Sequence, residues 1–317
     1  MRINSSIRKV LGLYILDRKI LYERRVSRLL VATIFLVPFV LAEFSLLAIL
    51  LTVGTYFRFY IFLGFKIASI TVSSPTLAIL LNTILYGIFL IISVAFIVKG
   101  KGLVYELSSR NYSWEPLSVT ESFFLAFFLS IALVFIFPSL PRTAPGETTI
   151  IMVYNAIFLA PLSEEISYRF IILLLPVIIK DFILYRGENP KQIIDILIDG
   201  KEDIDILDWI LIGISGGIFG VAHYVFGWSF NKIFQATLLG IFLGYIAVKR
   251  GLVASIIFHF VWNSLSILAI IPLFFDLPSI AKYLISTIAT IWIIISIITG
   301  IVVLVIFVLR IMGYKTI

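Results

Sequence analysis

The sequence predicts an all-α fold, a polytopic membrane helical bundle of about eight transmembrane helices. The first observation is composition: 61% of the 317 residues are hydrophobic, only 14% are charged, and the mean hydropathy is +1.12. Soluble domains are far less apolar. The second observation is that apolar runs of about 20 residues recur along most of the chain, which is the length a helix needs to cross the hydrocarbon core. Barrel strands are shorter and alternate in polarity, so a β-barrel is excluded.

Eight runs are predicted as membrane spans. They cover residues 29–53, 76–99, 120–138, 149–185, 207–226, 231–249, 251–275 and 283–310. The fourth is too long for one straight crossing, and Pro161 and Pro176 are expected to kink it or to divide it into a spanning part and a surface part. Segment 55–75 carries Arg58 and Lys66, each of which would cost roughly 2.5–3.5 kcal/mol at membrane depth. We therefore predict an interfacial loop there.

The basic residues predict how the chain is oriented. The net charge is +7, and many of the positive charges lie in residues 1–28. This segment is predicted to be a basic amphipathic helix on an anionic membrane surface rather than a nucleic-acid site. Loops after the even-numbered spans hold more Lys and Arg than the others, which predicts that both termini are cytoplasmic. The hydrophilic insert 186–208 is then expected to form a cytoplasmic surface helix.

Residues 161–170, PLSEEISYRF, place two glutamates and an arginine inside the fourth span. Glu165 and Arg169 are four residues apart, so they share a helix face in the order that favours an ion pair. Glu164 points about 100° away. It would remain an unpaired carboxyl in a low-dielectric setting, which suits a general base. The alternative is an inert ion cluster that ties helices together, although buried ion pairs stabilise only weakly.

Both histidines of the chain, His223 and His259, fall inside predicted spans. An ionisable residue at membrane depth is a candidate functional residue, and the alternative for each histidine alone is an interhelical hydrogen bond. His259 and Asn263 share a face of the seventh span and could donate hydrogen bonds to one oxygen. Phe219 shares a face with His223, where it would pack against the imidazole or the substrate. Because His223 lies late in the fifth span and His259 early in the seventh, their convergence requires tilted or broken helices.

Small residues line the fifth and sixth spans at close intervals. They are Gly213, Gly216, Gly217, Gly220, Ala236, Gly240 and Gly244. Such residues permit close helix contact in lipid. The spans that carry the histidines are therefore predicted to pack tightly. The sequence contains no cysteine, which excludes disulfides, thiolate catalysis and Cys-ligated metals.

In this order, the motifs EExxxR, FxxxH and HxxxN resemble those of the CPBP intramembrane proteases, the group that includes the Rce1 CAAX prenyl endopeptidases and bacterial Abi-type proteins. The resemblance covers about residues 120–275, the motif-bearing core of a predicted transmembrane protease domain at 29–317. It implies an eight-helix fold with a conical cavity that reaches into the bilayer from the cytoplasmic side. Glu165 and Arg169 would orient the site. Phe170 occupies the position after Arg169, where the family often has glycine. The resemblance therefore does not imply the local shape of this helix.

The resemblance implies a glutamate protease without a cofactor, in which Glu164 is the general base and His223 holds and polarises a water molecule. His259 and Asn263 would form the oxyanion hole. The implied substrate is a peptide or the prenylated C-terminus of a protein, and membrane lipids are the other expected partner. Zinc bound by Glu164, His223 and His259 is an alternative mechanism, and a non-catalytic transporter or immunity-type protein is the alternative function.

Overall fold

The computed structural model describes residues 28–51, 54–62, 66–98, 103–108, 117–138, 150–184, 193–201, 203–274 and 278–312. Apart from Arg28, the predicted basic segment lies outside the described residues. The helices are α1 (Arg28–Leu51), α2 (Pro75–Val98), α3 (Leu103–Ser108), α4 (Val119–Ile136), α5 (Ile150–Tyr154), α6 (Ala160–Glu164), α7 (Leu175–Leu184), α8 (Ile193–Asp199), α9 (Ile206–Val225), α10 (Lys232–Arg250), α11 (Leu252–Phe274) and α12 (Ser279–Ile311).

The all-α membrane bundle is confirmed. In the described part of the chain, six helices are long and apolar enough to cross a membrane: α1, α2, α4, α9, α10 and α12. The two other predicted spans correspond to α11 and to the continuous stretch from α5 to α7. The short helix α8 confirms the helix predicted in the hydrophilic insert.

The fourth span is an unbroken helical stretch over residues 150–184. Its α-helical parts are joined by two π-helical segments, π1 (Asn155–Leu159) and π2 (Glu165–Leu174). Of the two predicted outcomes, a kink or a division at Pro161 and Pro176, a break of the helix is wrong, because the helix continues past both prolines. The wider π-turns supply the local adjustment that a proline in a helix requires.

The π-turn before Pro161 has a consequence for α11. In π1 the N–H of Ala160 donates to the carbonyl of Asn155, five residues back. The carbonyl of Ala156 would receive the next such bond from residue 161, but proline has no N–H. The side chain of Asn263 replaces that donor, because its Nδ2 donates to the oxygen of Ala156 at 2.8 Å. Asn263 thus joins α11 to the helix that carries the glutamates.

The prediction of a loop at 55–75 is wrong. The segment forms an antiparallel hairpin of β1 (Phe57–Phe62) and β2 (Lys66–Val72), with Phe57 opposite Val72 and Tyr60 opposite Ser69. Its strands are rich in aromatic and β-branched residues, which suit a pleated surface. The charges at Arg58 and Lys66 were correct evidence against a membrane-spanning helix.

A buried asparagine ties the hairpin to the bundle. Asn82 of α2 is fully buried, and its Nδ2 donates to the carbonyl of Tyr56 at 2.6 Å, just before β1. The hydroxyl of Tyr154, at the end of α5, donates to Oδ1 of Asn82 at 3.0 Å. The hairpin is therefore linked through α2 to the start of π1.

Close contact between α9 and α10 depends on glycine. A Cβ atom at Gly216 would lie 2.8 Å from Cγ1 of Ile241, and one at Gly240 would lie 2.8 Å from the Cα atom of Gly216. Larger residues at these two positions would push the helices apart, which confirms the predicted tight packing. Gly213 and Gly217 face open space and do not contribute to it.

A buried ion cluster joins the ends of α1, α4 and α12. Glu121 accepts hydrogen bonds from both terminal nitrogens of Arg310, at 3.1 and 3.2 Å, and lies 3.6 Å from Nε of Arg28. It also accepts from the N–H of Ser118, the N-cap of α4, at 2.8 Å. One carboxylate therefore caps a helix and fixes two other helices beside it.

Candidate active site

The two adjacent glutamates face different surroundings. Glu165, the first residue of π2, is fully buried, whereas the Glu164 side chain is 21% exposed and lines a pocket. Successive side chains on a helix point about 100° apart, so one helix presents one carboxylate to the interior and the next to the pocket.

Glu165 is the centre of a buried hydrogen-bond network. Its Oε1 lies 2.8 Å from Nδ1 of His259, and its Oε2 accepts a hydrogen bond from the hydroxyl of Ser255. Nε of Arg169 lies 3.5 Å from Oε2 of Glu165, which gives the ion pair expected from their spacing. The network fixes both the position and the rotation of the His259 ring.

Arg169 is held by charge and by an aromatic ring. Its side chain is fully buried, and within the described part of the chain none of its nitrogens has a hydrogen-bond partner. Its guanidinium carbon lies 4.3 Å from the centre of the Phe219 ring, a cation–π contact. Together with the ion pair to Glu165, this contact offsets part of the cost of burying the cation.

The pocket has a volume of about 210 Å³. It is lined by Glu164, Tyr168, Ala222, His223, Phe226 and Trp228. A carboxylate from α6 and an imidazole from α9 therefore face the same space, which is large enough for water and part of a ligand. The pocket lies where α9 ends and turns towards α10.

The tautomer of His223 follows from its hydrogen bond. Nδ1 lies 2.9 Å from the carbonyl oxygen of Phe219, one turn back on α9. A carbonyl only accepts, so Nδ1 carries the hydrogen, and Nε2 of the neutral ring has the lone pair. His223 is therefore oriented to accept a hydrogen bond at Nε2.

Phe219 brings the two histidines together. Its ring centre lies 4.6 Å from the ring of His223 and 5.9 Å from that of His259, with edge-to-face geometry in both cases. Nε2 of His259 lies 3.6 Å from Oε2 of Glu164. By a rise of 1.5 Å per residue, Phe219 is about 20 Å from the start of α9 and His259 about 10 Å from the start of α11. The two helices are therefore shifted or tilted relative to each other, as convergence requires.

The structure groups most of the predicted site residues. Glu164, Glu165, Arg169, Phe219, His223 and His259 form one connected cluster. Asn263 lies one turn beyond His259, where its amide is bound to Ala156. In the described residues, neither His259 nor Asn263 is part of the pocket lining.

Sequence reasoning missed Ser255 and Lys232. Ser255 is four residues before His259, so the same spacing rule that selected Asn263 could have found it. Lys232 begins α10, and its Nζ lies 4.7 Å from the ring centre of Trp228, in the wall of the pocket. Trp228 and Lys232 are four residues apart, but Trp228 lies outside a helix, so their contact depends on the turn between α9 and α10.

The acidic group with metal-like spacing lies elsewhere. Among the described residues, ligand atoms of Asp181, Asp205 and Asp208 all lie within 4.8 Å of one another, whereas those of the alternative zinc ligands do not form such a set. Two ammonium groups already pair with the three aspartates: Lys180 binds Asp205 and Asp208, and Lys201 binds Asp181 and Asp208. This cluster is an ion-pair network at the ends of α7 and α9.

These features define a polytopic helical membrane protein with a glutamate and histidine cluster beside a pocket. Residues 146–265 match the family model described as type II CAAX prenyl endopeptidase, Rce1-like. The chain thus contains an Rce1-like domain, and the family resemblance predicted from the three motifs is confirmed. The matched range contains every predicted site residue. Searches of curated proteins and of solved structures found no significant match.

Proposed function

We propose that this chain is an intramembrane endopeptidase that hydrolyses a peptide bond near the C-terminus of a membrane-associated protein, with prenylated CAAX sequences as the first substrates to test. The observation that carries the proposal is the shared pocket of Glu164 and His223, with His259 held 3.6 Å from Glu164 by its bond to Glu165. A base, a site for water and nearby donors are the groups that peptide hydrolysis needs.

In the proposed reaction, Glu164 removes a proton from a water molecule while the water oxygen attacks the substrate carbonyl carbon. Nε2 of His223 accepts the other hydrogen of that water in a hydrogen bond and so fixes its direction of attack. The carbon–nitrogen bond then breaks, and Glu164 returns the proton to the leaving nitrogen. One water is consumed: its second hydrogen leaves the new carboxyl group and is taken up by the amine, so the products are a carboxylate and an ammonium group.

His259 and Asn263 are the proposed donors to the oxyanion. Nδ1 of His259 gives its hydrogen to Glu165, so Nε2 can donate only when the ring carries both protons. Asn263 uses one N–H on Ala156 and has a second on the same nitrogen. The proposal therefore requires the substrate to enter between the pocket and α11.

Zinc bound by Glu164, His223 and His259 remains the alternative mechanism. A histidine whose second nitrogen binds a carboxylate, as His259 binds Glu165, is common at zinc sites. The spacing of the three side chains argues against it. Full activity of chelator-treated protein at negligible zinc content would eliminate zinc, and activity restored only by added zinc would establish it.

The test is cleavage of a fluorogenic peptide, in farnesylated and unmodified forms, by purified protein in liposomes. Glu164→Gln and His223→Ala should each lower kcat/KM by about 10²–10⁴-fold, the usual contribution of acid–base catalysis. Glu43→Gln is the matched control, because Glu43 is a partly buried carboxyl of α1 that binds Ser93 outside the pocket. Wild-type cleavage rates in Glu164→Gln would refute the proposed mechanism, whereas failure of the wild-type protein to cleave either peptide would favour a non-hydrolytic transporter or immunity-type protein.

A further inference from the structure

Lys232 places a positive charge beside the pocket. It is the first residue of α10, and its Nζ donates to Oε1 of Gln235 at 2.8 Å. The same ammonium rests on the ring of Trp228, which lines the pocket together with Glu164 and His223. The cation is thus held in a fixed position at the wall of the proposed reaction site.

The position is electrostatically unusual for a lysine. The N-terminus of a helix carries a partial positive charge, which favours acids there and disfavours bases. Within the described residues no carboxylate oxygen lies within ion-pair distance of Nζ, although Lys232 interacts with Glu164 over a longer range. The cation and the helix end together create a positive region that a bound anion would neutralise.

We infer that Lys232, supported by Trp228 and Gln235, is a subsite for the terminal carboxylate of the substrate. This inference rests on the proposed function and deepens it. An ammonium has three hydrogens, and one is used by Gln235, so two remain to donate to carboxylate oxygens. A carboxylate bound there lies beside the pocket, so the enzyme would cut close to the C-terminus of its substrate rather than within a long chain.

The test compares two forms of one peptide, with a free C-terminal carboxylate and with a C-terminal amide, in a single steady-state assay. Wild-type kcat/KM should be about 10- to 100-fold higher for the carboxylate form, the range expected for a charge-assisted hydrogen bond. Lys232→Met should abolish this preference, chiefly by raising KM for the carboxylate form, so that kcat/KM falls much more for the carboxylate form than for the amide.

Two controls address folding and general charge effects. Lys232→Arg keeps the cation and should retain most of the preference, and Lys282→Met removes a lysine from the first turn of α12 and should leave it unchanged. Equal losses for both peptides in Lys232→Met, or no preference in the wild type, would overturn the carboxylate subsite while leaving the peptidase intact. Failure of the wild type to cleave either peptide would instead remove the proposed function and this inference with it.

Discussion

His259 and Glu165 are joined by a 2.8 Å contact between Nδ1 and Oε1, in a part of the bundle where both side chains are almost fully buried. The neighbouring carboxylate, Glu164, faces the other ring nitrogen at 3.6 Å. Glu165 thus positions the imidazole, whereas Glu164 faces the pocket. The two adjacent glutamates therefore have different roles.

Glu165→Gln should lower kcat by about 10- to 100-fold, the usual effect of losing a carboxylate that orients a histidine. The amide fills the same space but carries no charge for Arg169 or for a doubly protonated His259. KM should change little, because Glu165 acts on the substrate only through His259. Glu165→Asp should recover part of the rate. An unchanged kcat with a loss confined to thermal stability would mean that Glu165 is only structural.

Asn263 is expected to have two separable roles. Asn263→Ala should destabilise the protein by about 1–3 kcal/mol, because the partly buried carbonyl of Ala156 loses its donor, and should also abolish most activity. In the double variant Pro161→Ala with Asn263→Ala, residue 161 regains an N–H that can bond to Ala156. Thermal unfolding should then recover while activity stays low. Recovery of both would remove Asn263 from the oxyanion hole.

The aspartate network predicts acid sensitivity. Burial alone would raise the pKa of Asp205, but the hydrogen bonds from Lys180 and from the N–H of Asp208 outweigh it and lower that pKa. A lowered pKa in the folded state contributes stability at neutral pH that is lost as the pH falls through the folded value. The loss should therefore begin below about pH 4, the ordinary range of an aspartate.

Asp205→Asn tests this contribution, because asparagine still caps α9 but carries no charge. The Tm difference between wild type and Asp205→Asn should shrink as the pH is lowered through that range. Asp205→Ala, which also loses the cap, should cost roughly 1 kcal/mol more at every pH. Parallel Tm curves for wild type and Asp205→Asn would contradict the prediction.

The two ends of α9 should be exposed on opposite sides of the membrane. Asp208 and His223 are 15 residues apart on this helix, or about 22 Å, so the aspartate network and the pocket lie towards its opposite ends. A cavity open to the cytoplasm would have to reach the pocket across most of the hydrocarbon core. Since the sequence lacks cysteine, Asp203→Cys and Ser229→Cys can be labelled singly with an impermeant maleimide. In intact cells, we expect the maleimide to label Ser229→Cys and not Asp203→Cys. Labelling of both variants from the same side of the membrane would refute the prediction that α9 crosses it.

Sequence reasoning succeeded where the property is local. Apolar length fixes a membrane span directly, so the predicted fifth and eighth spans, 207–226 and 283–310, fall within a few residues of α9 and α12. The motif residues were found because unpaired polar groups are costly in lipid and so stand out. The i to i+4 rule also gave the Glu165 and Arg169 pair.

The remainder depended on contacts between distant segments. The hairpin was missed because a two-stranded sheet is stabilised mainly by its packing, here by Asn82 and Tyr154, and not by its own short strands. The π-turn around Pro161 could not be foreseen because its stability comes from Asn263 on another helix. Lys232 was overlooked because it marks the boundary of a span and meets Trp228 only through the turn.

The position of the hairpin affects how a substrate could reach the two glutamates. Each of its two strands has one edge whose backbone groups have no partner strand among the described residues, and acyl chains cannot satisfy such groups. Those groups therefore need water, lipid headgroups or neighbouring protein. β1 packs against α6 and against both π-helical segments, so the hairpin lies beside the part of the chain that carries Glu164 and Glu165. A peptide that approached these glutamates from the side of the hairpin would meet β1 first.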